Sequence, residues 1–346
     1  MGNQASKVIE KSKEKREKRA TKSNRRRSTI TLGGRAHSSL MMTSKGSQAN
    51  YDWIDDKQES AMPPPTKSRR QSITEFFVGR KKSLVQEDLR EFDRLQRQHY
   101  LLKSARKANC LSQVKGSMTI VDAGTGNGIW ALEIAAENPD CQVIGLDLRA
   151  PNEQQGRPKN LTYHEADITE TWPIESNSVD FIFQRSMGQS IQKEQWNKVL
   201  SEMLRVLKPG GTIELVEADL WHHNPGPVQK AFDEFYQSQC AENGLDFIFT
   251  EAIGPEVEAV GFIDLEHRTI DIPVGEWPQD AELKQFGFIN KEIQKAYLRN
   301  RKAFYITKWG ITPDDYELAV QEVLAEFEDY HGFTRYNCWT AKKSAN

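Results

Sequence analysis

The chain has 346 residues, of which 37% are hydrophobic and 28% charged, and a formal net charge of −2. That is enough for one large domain with added segments. No apolar run approaches the roughly 18 residues of a membrane-spanning helix, and no apolar leader follows Met1. Cys110, Cys141, Cys240 and Cys338 are scattered without a CxxC pair, which argues against a zinc site or a disulfide framework and fits a reducing compartment.

The near-neutral total hides an asymmetry. Residues 1–83 hold 20 Lys/Arg and 8 Asp/Glu out of totals of 47 and 49, which leaves 27 basic and 41 acidic residues for the rest. A basic arm on an acidic body implies an anionic partner for the arm, membrane or nucleic acid. The arm is rich in Lys, Arg, Ser and Gln, is broken by Pro63-Pro64-Pro65, and lacks sustained periodicity. It cannot bury enough apolar surface to offset chain entropy and reads as disordered, with a helical tendency over 11–19. Gly2 follows Met1, and Ser6 stands where a myristoylation signal needs Ser or Thr. A single acyl chain binds membranes only marginally. Lys7, Lys11, Lys13, Lys15, Arg16, Lys18, Arg19, Lys22 and Arg25-Arg26-Arg27 supply a second signal, each contributing about 1 kcal/mol near an anionic leaflet. Residues 2–27 thus read as a two-signal anchor at the cytoplasmic face of a membrane, with a nuclear import signal or a plain basic tail as alternatives. Ser28, Ser72 and Ser83 follow basic clusters, where phosphate would weaken such an attraction.

From residue 84 the pattern turns helical, through about 107. Strands are predicted at 119–122, 142–147, 161–165, 179–183 and 212–217, with helices at 129–137 and 195–207, the second stopped by Lys208-Pro209-Gly210-Gly211. Alternation at these lengths implies a parallel, doubly wound α/β sheet. Helices follow at about 228–243 and 254–260, then a strand at 262–272 and an aromatic-rich stretch at 277–309. Thr312-Pro313 is a helix start, and 333–341 a closing strand. The body spans 84–346, with a core at about 116–220 and a helical, lid and closing-strand region at about 221–342.

The most informative segment is 118–130. An apolar strand ends at Asp122 and runs into Gly124, Gly126 and Gly128 before a helix. A dinucleotide fingerprint needs its third glycine at 129, where Ile stands, and no Gly-Lys-Ser/Thr closes a phosphate loop. NAD, FAD and nucleoside triphosphates are therefore disfavoured. Asp147, at the end of the second strand, lies 19 residues past Gly128, the spacing at which a carboxylate meets a ribose. Asp167 follows the third strand and is placed to accept from an adenine amino group. Bare backbone for a charged amino-acid tail, with acids for ribose and base, is the layout of an S-adenosylmethionine site.

The run 121–130, with 143–148, Leu207-Lys208-Pro209-Gly210-Gly211 and Glu214, resembles class I S-adenosylmethionine-dependent methyltransferases. Glu91-Phe92-Asp93-Arg94-Leu95 with Gln98-His99, Asp180-Phe181-Ile182-Phe183-Gln184-Arg185, Gly188-Gln189-Ser190-Ile191 and Pro273-Val274-Gly275-Glu276-Trp277-Pro278 are similar to the fungal secondary-metabolism-regulator-like methyltransferase group. The resemblance covers about residues 85–342. It implies a Rossmann-like seven-stranded sheet in the order 3-2-1-4-5-7-6, with the seventh strand antiparallel. It also implies that Asp122, Gly124, Gly126 and Gly128 surround the methionine end, Asp147 the ribose, and Asp167 with Ile168 the adenine, with Thr125 and Leu148 also among the cofactor-binding residues. Gln184 and Arg185 would lie near the sulfonium. The chain departs from the group's pattern at 148–152, where a Ser-Pro loop is usual, and at Phe183-Gln184-Arg185, where His-Leu-Arg is usual.

Methyl transfer needs alignment first, and a base only if the acceptor must shed a proton. Glu217 and His222, with Asp219 and His223, lie near the open end of the fifth strand and are the catalytic candidates. Arg94 either pairs with the cofactor carboxylate or is solvated. Trp277, Phe286, Phe288, Tyr297, Phe304, Tyr305 and Trp309 form either a lid or simple core. The implied activity is methyl transfer to an unidentified small molecule or protein, and the alternative is a non-catalytic cofactor-binding regulator. The acidic body argues against a nucleic-acid groove.

Overall fold

The structure is a computed structural model that describes residues 84–151 and 157–345, together with Lys7, Glu10, Lys11, Glu14, Lys15 and Lys18. Gly2, Ser28, Ser72, Ser83 and the expectation of a disordered arm lie outside the described residues. The six described arm positions are helical, in keeping with the helical tendency read over 11–19. Lys15 Nζ meets Glu326 Oε1 at 2.8 Å and sits 4.8 Å from the centre of the Tyr330 ring.

The body opens with α1 (Leu84–Arg106), followed by β1 (Thr119–Ala123), α2 (Ile129–Glu137), β2 (Gln142–Asp147), β3 (Leu161–Glu165), β4 (Val179–Arg185), α3 (Trp196–Val206) and β5 (Leu207–Ala218). The rest comprises α4 (Pro227–Glu242), α5 (Gly254–Val260), β6 (Phe262–Pro273), α6 (Ala281–Asn300), α7 (Lys302–Trp309), α8 (Pro313–Asp329) and β7 (Phe333–Lys343). The sheet order is β3-β2-β1-β4-β5-β7-β6, as the resemblance implies. β1 to β5 pair in parallel, and β7 runs antiparallel to both β5 and β6. No described helix is long and apolar enough to cross a membrane.

Two strand limits differ from expectation. β4 continues past Phe183, so Gln184 and Arg185 are strand residues, paired with Leu215 and Val216 of β5. β5 begins at Leu207, because the Lys-Pro-Gly-Gly run that stops α3 is itself extended. Val179 pairs with Leu207, a register shift separates it from Phe181, and Lys208 Nζ reaches Asp180 Oδ2 at 2.7 Å. The ladder thus absorbs the irregular residues instead of ending at them.

Side chains alternate across the sheet with period two. Ile120, Phe181, Phe183 and Val216 face a layer with Leu101 and Leu102 of α1 and Trp130 and Ile134 of α2. Val121, Ile182, Ile213 and Leu215 face Trp196, Val199 and Met203 of α3 and Val257 of α5. Trp130 stacks on Phe183 at 4.0 Å, and its Nε1 donates to Asn109 O. The buried Arg106 guanidinium pairs with Glu214, which also accepts from the Leu111 and Ser112 amides. This pair anchors the α1–β1 connection under the sheet.

The aromatic stretch resolves mainly as core. Phe304, Tyr305 and Trp309 are buried against Phe232 and Phe235 of α4 and Tyr316 of α8. Phe235 stacks on Trp309 at 4.8 Å, and Phe232 meets it edge-on. The lid reading fails for these three rings, because α4, α7 and α8 bury them in a second core. Phe288 is exposed. Thr312 caps α8 as expected, its hydroxyl accepting from Asp315 N at 3.1 Å.

One contact fixes α6 to the segment after β6. Gly275 N donates to Gly287 O at 2.9 Å, and a Cβ at Gly287 would stand 1.8 Å from Gly275 O. Neither backbone can retreat without breaking the hydrogen bond. Gly287→Ala should therefore cost about 3 kcal/mol, read as a lower midpoint in urea with unchanged slope; a variant of parental stability would show that the contact is slack.

Candidate functional site

The crevice lies at the carboxyl ends of β1 to β5, where ligands bind in open α/β sheets. Between β1 and α2 the chain turns through Gly124, Gly126 and Gly128 at φ of 76°, 58° and 76°, angles that glycine adopts freely. Gly124 and Thr125 donate their amides to Leu146 O at 2.8 and 2.9 Å, locking the turn to β2. Gly128 has a second constraint, since a Cβ there would lie 2.4 Å from the Tyr163 hydroxyl, which donates to Gly128 O. Met187 fills the space beside Gly124.

Three acids stand at successive strand tips. Asp122, buried in β1, accepts from the Thr125 hydroxyl at 2.6 Å. Burial pushes its carboxyl up to about 6, against the opposing pull of that hydroxyl and the Arg185 guanidinium. Asp147 Oδ2 accepts from Gly126 N at 2.9 Å and Oδ1 from Arg149 N at 3.0 Å, and burial raises this carboxyl as well. Asp167 is exposed and spends Oδ1 on the amide and hydroxyl of Thr169. Ile168 is buried beside it, and Leu148 is 62% exposed at the tip of β2.

Gln184, Arg185 and Glu217 form the floor at the tips of β4 and β5. Glu217 accepts from Met187 N at 3.0 Å and Gly188 N at 2.9 Å, yet burial pushes it up to about 7. Gln184 is fully buried beside it, and neither amide atom finds a partner of normal geometry. The Ser186 hydroxyl is likewise buried and unpartnered, on a backbone at φ 59°. Arg185 is half-buried, and no carboxylate among the described residues lies within ion-pair distance of it; burial draws its guanidinium down, offset by Asp122 and Glu217. A floor with orphaned polar atoms and two raised acids around one unpaired cation suits a zwitterionic, partly cationic ligand.

The other catalytic candidates lie elsewhere. His223 is held by Asp219 at 2.7 Å and stacks on Phe333, while Asp219 also accepts from Asn337. These contacts brace β5 against β7. His222 contacts Asp233, Gln229 and Gln294 and lines a small cavity of about 20 Å³ with Tyr236, Tyr297 and Tyr305, room for about one water. Burial lowers His222, but Asp233 and Gln294 outweigh it and leave the imidazole raised. Of the four candidates, Glu217 alone belongs to the floor.

Arg94 is neither solvated nor free. It makes a forked pair with Glu91, 2.6 Å at the shortest, and donates to Gln98 Oε1. Glu91 also takes Asn300 of α6, and Arg301 donates to Gln189 in the loop after β4 while stacking on Tyr297 at 3.6 Å. α1 and α6 thus roof the crevice through a polar network. Tyr163, Met187 and Arg301 were not marked in the sequence as site residues, and Tyr297 was marked only as part of the aromatic stretch read as lid or core. Of the three unmarked residues, Met187 alone carried a local signal, one residue before the Gly188-Gln189 motif.

The buried charge has a measurable cost. A carboxyl raised from 3.8 to about 6 on folding stabilises the fold below about pH 4 and loses that contribution as pH rises through 6. Asp122→Asn should therefore melt several degrees above the parent at pH 8 without ligand, with a smaller gap at pH 5, while binding S-adenosylmethionine more weakly. A gap independent of pH in thermal melts would contradict the assignment.

Residues 120–211 match the family described as a methyltransferase domain. The chain is 24% identical over 258 residues to an N-methyltransferase, gliN, of Aspergillus fumigatus, covering 70% of this chain and 90% of that protein. It is 27% identical over 274 residues to the secondary metabolism regulator laeA of Aspergillus flavus, covering 75% and 73%. Among solved structures it is similar to phosphoethanolamine N-methyltransferase 2 of Haemonchus contortus in complex with S-adenosyl-L-methionine, at 22% identity and a TM-score of 0.45, covering 71% of this chain and 52% of that one. By the family match, residues 120–211 form a methyltransferase domain, for which S-adenosylmethionine is the cofactor, and the strand order is the one the sequence resemblance implies.

Proposed function

We propose that the chain is an active methyltransferase rather than a passive cofactor binder. The observation that carries this is the floor: Gln184 and Ser186 are buried polar side chains without partners, and Glu217 beside them is a buried acid raised to about 7, next to the strand tips that hold the cofactor. A domain that only bound cofactor would have no need of raised acid and orphaned amide on the acceptor side. Asp122, Gly124, Gly126 and Gly128 would hold the methionine end, Asp147 the ribose, and Asp167 with Ile168 the adenine. Leu148, by its exposure, would cover one face of the adenosine. The cofactor supplies an activated methyl on a sulfonium. The protein aligns the acceptor and excludes water, which contributes roughly 7–11 kcal/mol in well-oriented cases. Glu217, near neutrality in its titration, would hold a proton that an N–H or O–H acceptor sheds. The relative named N-methyltransferase favours nitrogen as that acceptor. The relative named a regulator supports the second reading, cofactor binding without turnover.

Calorimetry of the full chain should show S-adenosylmethionine binding and no NAD binding, with Asp147→Ala weakening the former roughly 10- to 100-fold through loss of charged hydrogen bonds. Release of S-adenosylhomocysteine on adding cell extract separates the enzyme from the silent regulator; its absence across extracts would favour the latter.

We further propose that residues 2–27 tether the domain to the cytoplasmic face of an anionic membrane through acylated Gly2 and the basic cluster. Support comes from the fixed position of the motif and from the charge contrast between arm and body. Lys15, engaged by Glu326, ties that arm to the start of α4, where the same carboxylate accepts from the Val228 and Gln229 amides. Gly2→Ala should move the protein from the membrane to the soluble fraction. Unchanged fractionation would remove the tether and leave the nuclear alternative.

A further inference from the structure

The crevice as described leaves one buried titratable side chain without a task. His99 of α1 is 1% exposed and lies between α2 and β4. Its Nε2 stands 2.9 Å from Glu133 Oε2, and its Nδ1 is 3.4 Å from both Nη1 and Nη2 of Arg185. A guanidinium only donates and an ionised carboxylate only accepts. Together the two contacts fix the ring as the neutral tautomer, with the proton on Nε2 and the lone pair of Nδ1 turned to Arg185. Lys103 Nζ, 2.7 Å from the same Glu133 oxygen, keeps that carboxylate charged.

Arg185 needs such a guide. Its guanidinium has no carboxylate within ion-pair distance among the described residues, although Asp122 and Glu217 are near enough to feel its charge. A hydrogen bond from a neutral ring nitrogen orients a cation without neutralising it, so its charge stays available to a ligand. Arg94, the other arginine by the crevice, is already committed to Glu91.

We propose that His99 is a positioning residue for Arg185, holding its guanidinium at the crevice floor toward the carboxylate of the bound cofactor and so coupling the roof helix α1 to cofactor affinity. The proposal rests on the cofactor reading above. It assigns His99 no contact with the reacting atoms.

The test uses the full chain, with S-adenosylmethionine and methylthioadenosine, which lacks the amino-acid tail, as calorimetric probes. His99→Leu and Arg185→Met should each weaken S-adenosylmethionine about tenfold and leave methylthioadenosine within about twofold. The double variant should be no weaker than about tenfold, because both changes remove one interaction. His99→Asn, which keeps an acceptor near the place of Nδ1, should recover most of the affinity. Should His99→Leu fold poorly, Glu133→Gln, which loosens the ring from outside, should show the same selective loss in milder form. The proposal is overturned if the His99 and Glu133 variants bind S-adenosylmethionine like the parent, if both probes weaken equally, or if the two losses multiply. A parent chain that binds methylthioadenosine but not S-adenosylmethionine, or neither, would instead overturn the cofactor reading.

Discussion

The site depends on charges that the fold buries without pairing. Asp122 and Glu217 are taken out of water at the tips of β1 and β5, and Arg185 lies near enough for each to feel its charge without an ion pair to either. Closing both pairs would stabilise the empty protein and remove its affinity for a charged ligand. The surrounding structure is what makes the open arrangement tolerable. Backbone amides of Met187 and Gly188 hold Glu217, the Thr125 hydroxyl holds Asp122, and a neutral imidazole holds Arg185. Each holder is a donor or acceptor that leaves the net charge in place.

The holders come from far apart in sequence. The glycine turn is pinned from β2 through Leu146 and from β3 through Tyr163, so the first three strands must be in register before the cradle exists. The roof is built separately, by α1 before the sheet and α6 after it, joined through Glu91, Arg94, Asn300 and Gln189. Local sequence therefore shapes the floor, and tertiary packing decides what covers it.

This division explains what could be read from the residues in advance. The strands were legible because short apolar runs end in acids and glycines, whereas their order came from the family resemblance and not from any pattern in the residues. The cradle was legible because Gly124, Gly126 and Gly128 sit where only positive φ serves. The role of Glu217 against its neighbours was not. Asp219, Glu217, His222 and His223 lie within seven residues, and nothing local says which points at the crevice and which at β7 or α4. Arg94 was ambiguous for the same reason, since its partner Glu91 is local but the Asn300 that fixes Glu91 is some two hundred residues on. The limits of β4 and β5 were missed because Lys-Pro-Gly-Gly reads as a stop, and only the neighbouring strand shows that it is carried in the ladder.

β7 follows the other six described strands in sequence, yet it lies between β5 and β6. β6 has no other strand partner among the described residues. Until β7 has been made, β5 presents a bare edge of unpaired amides and carbonyls, and β6 has no described strand to join. Zipping both ladders at once is a long-range event with a high entropic threshold, which makes it slow. A nascent or partly unfolded chain would thus expose two adhesive edges together, a hazard for aggregation during synthesis that the finished molecule does not share.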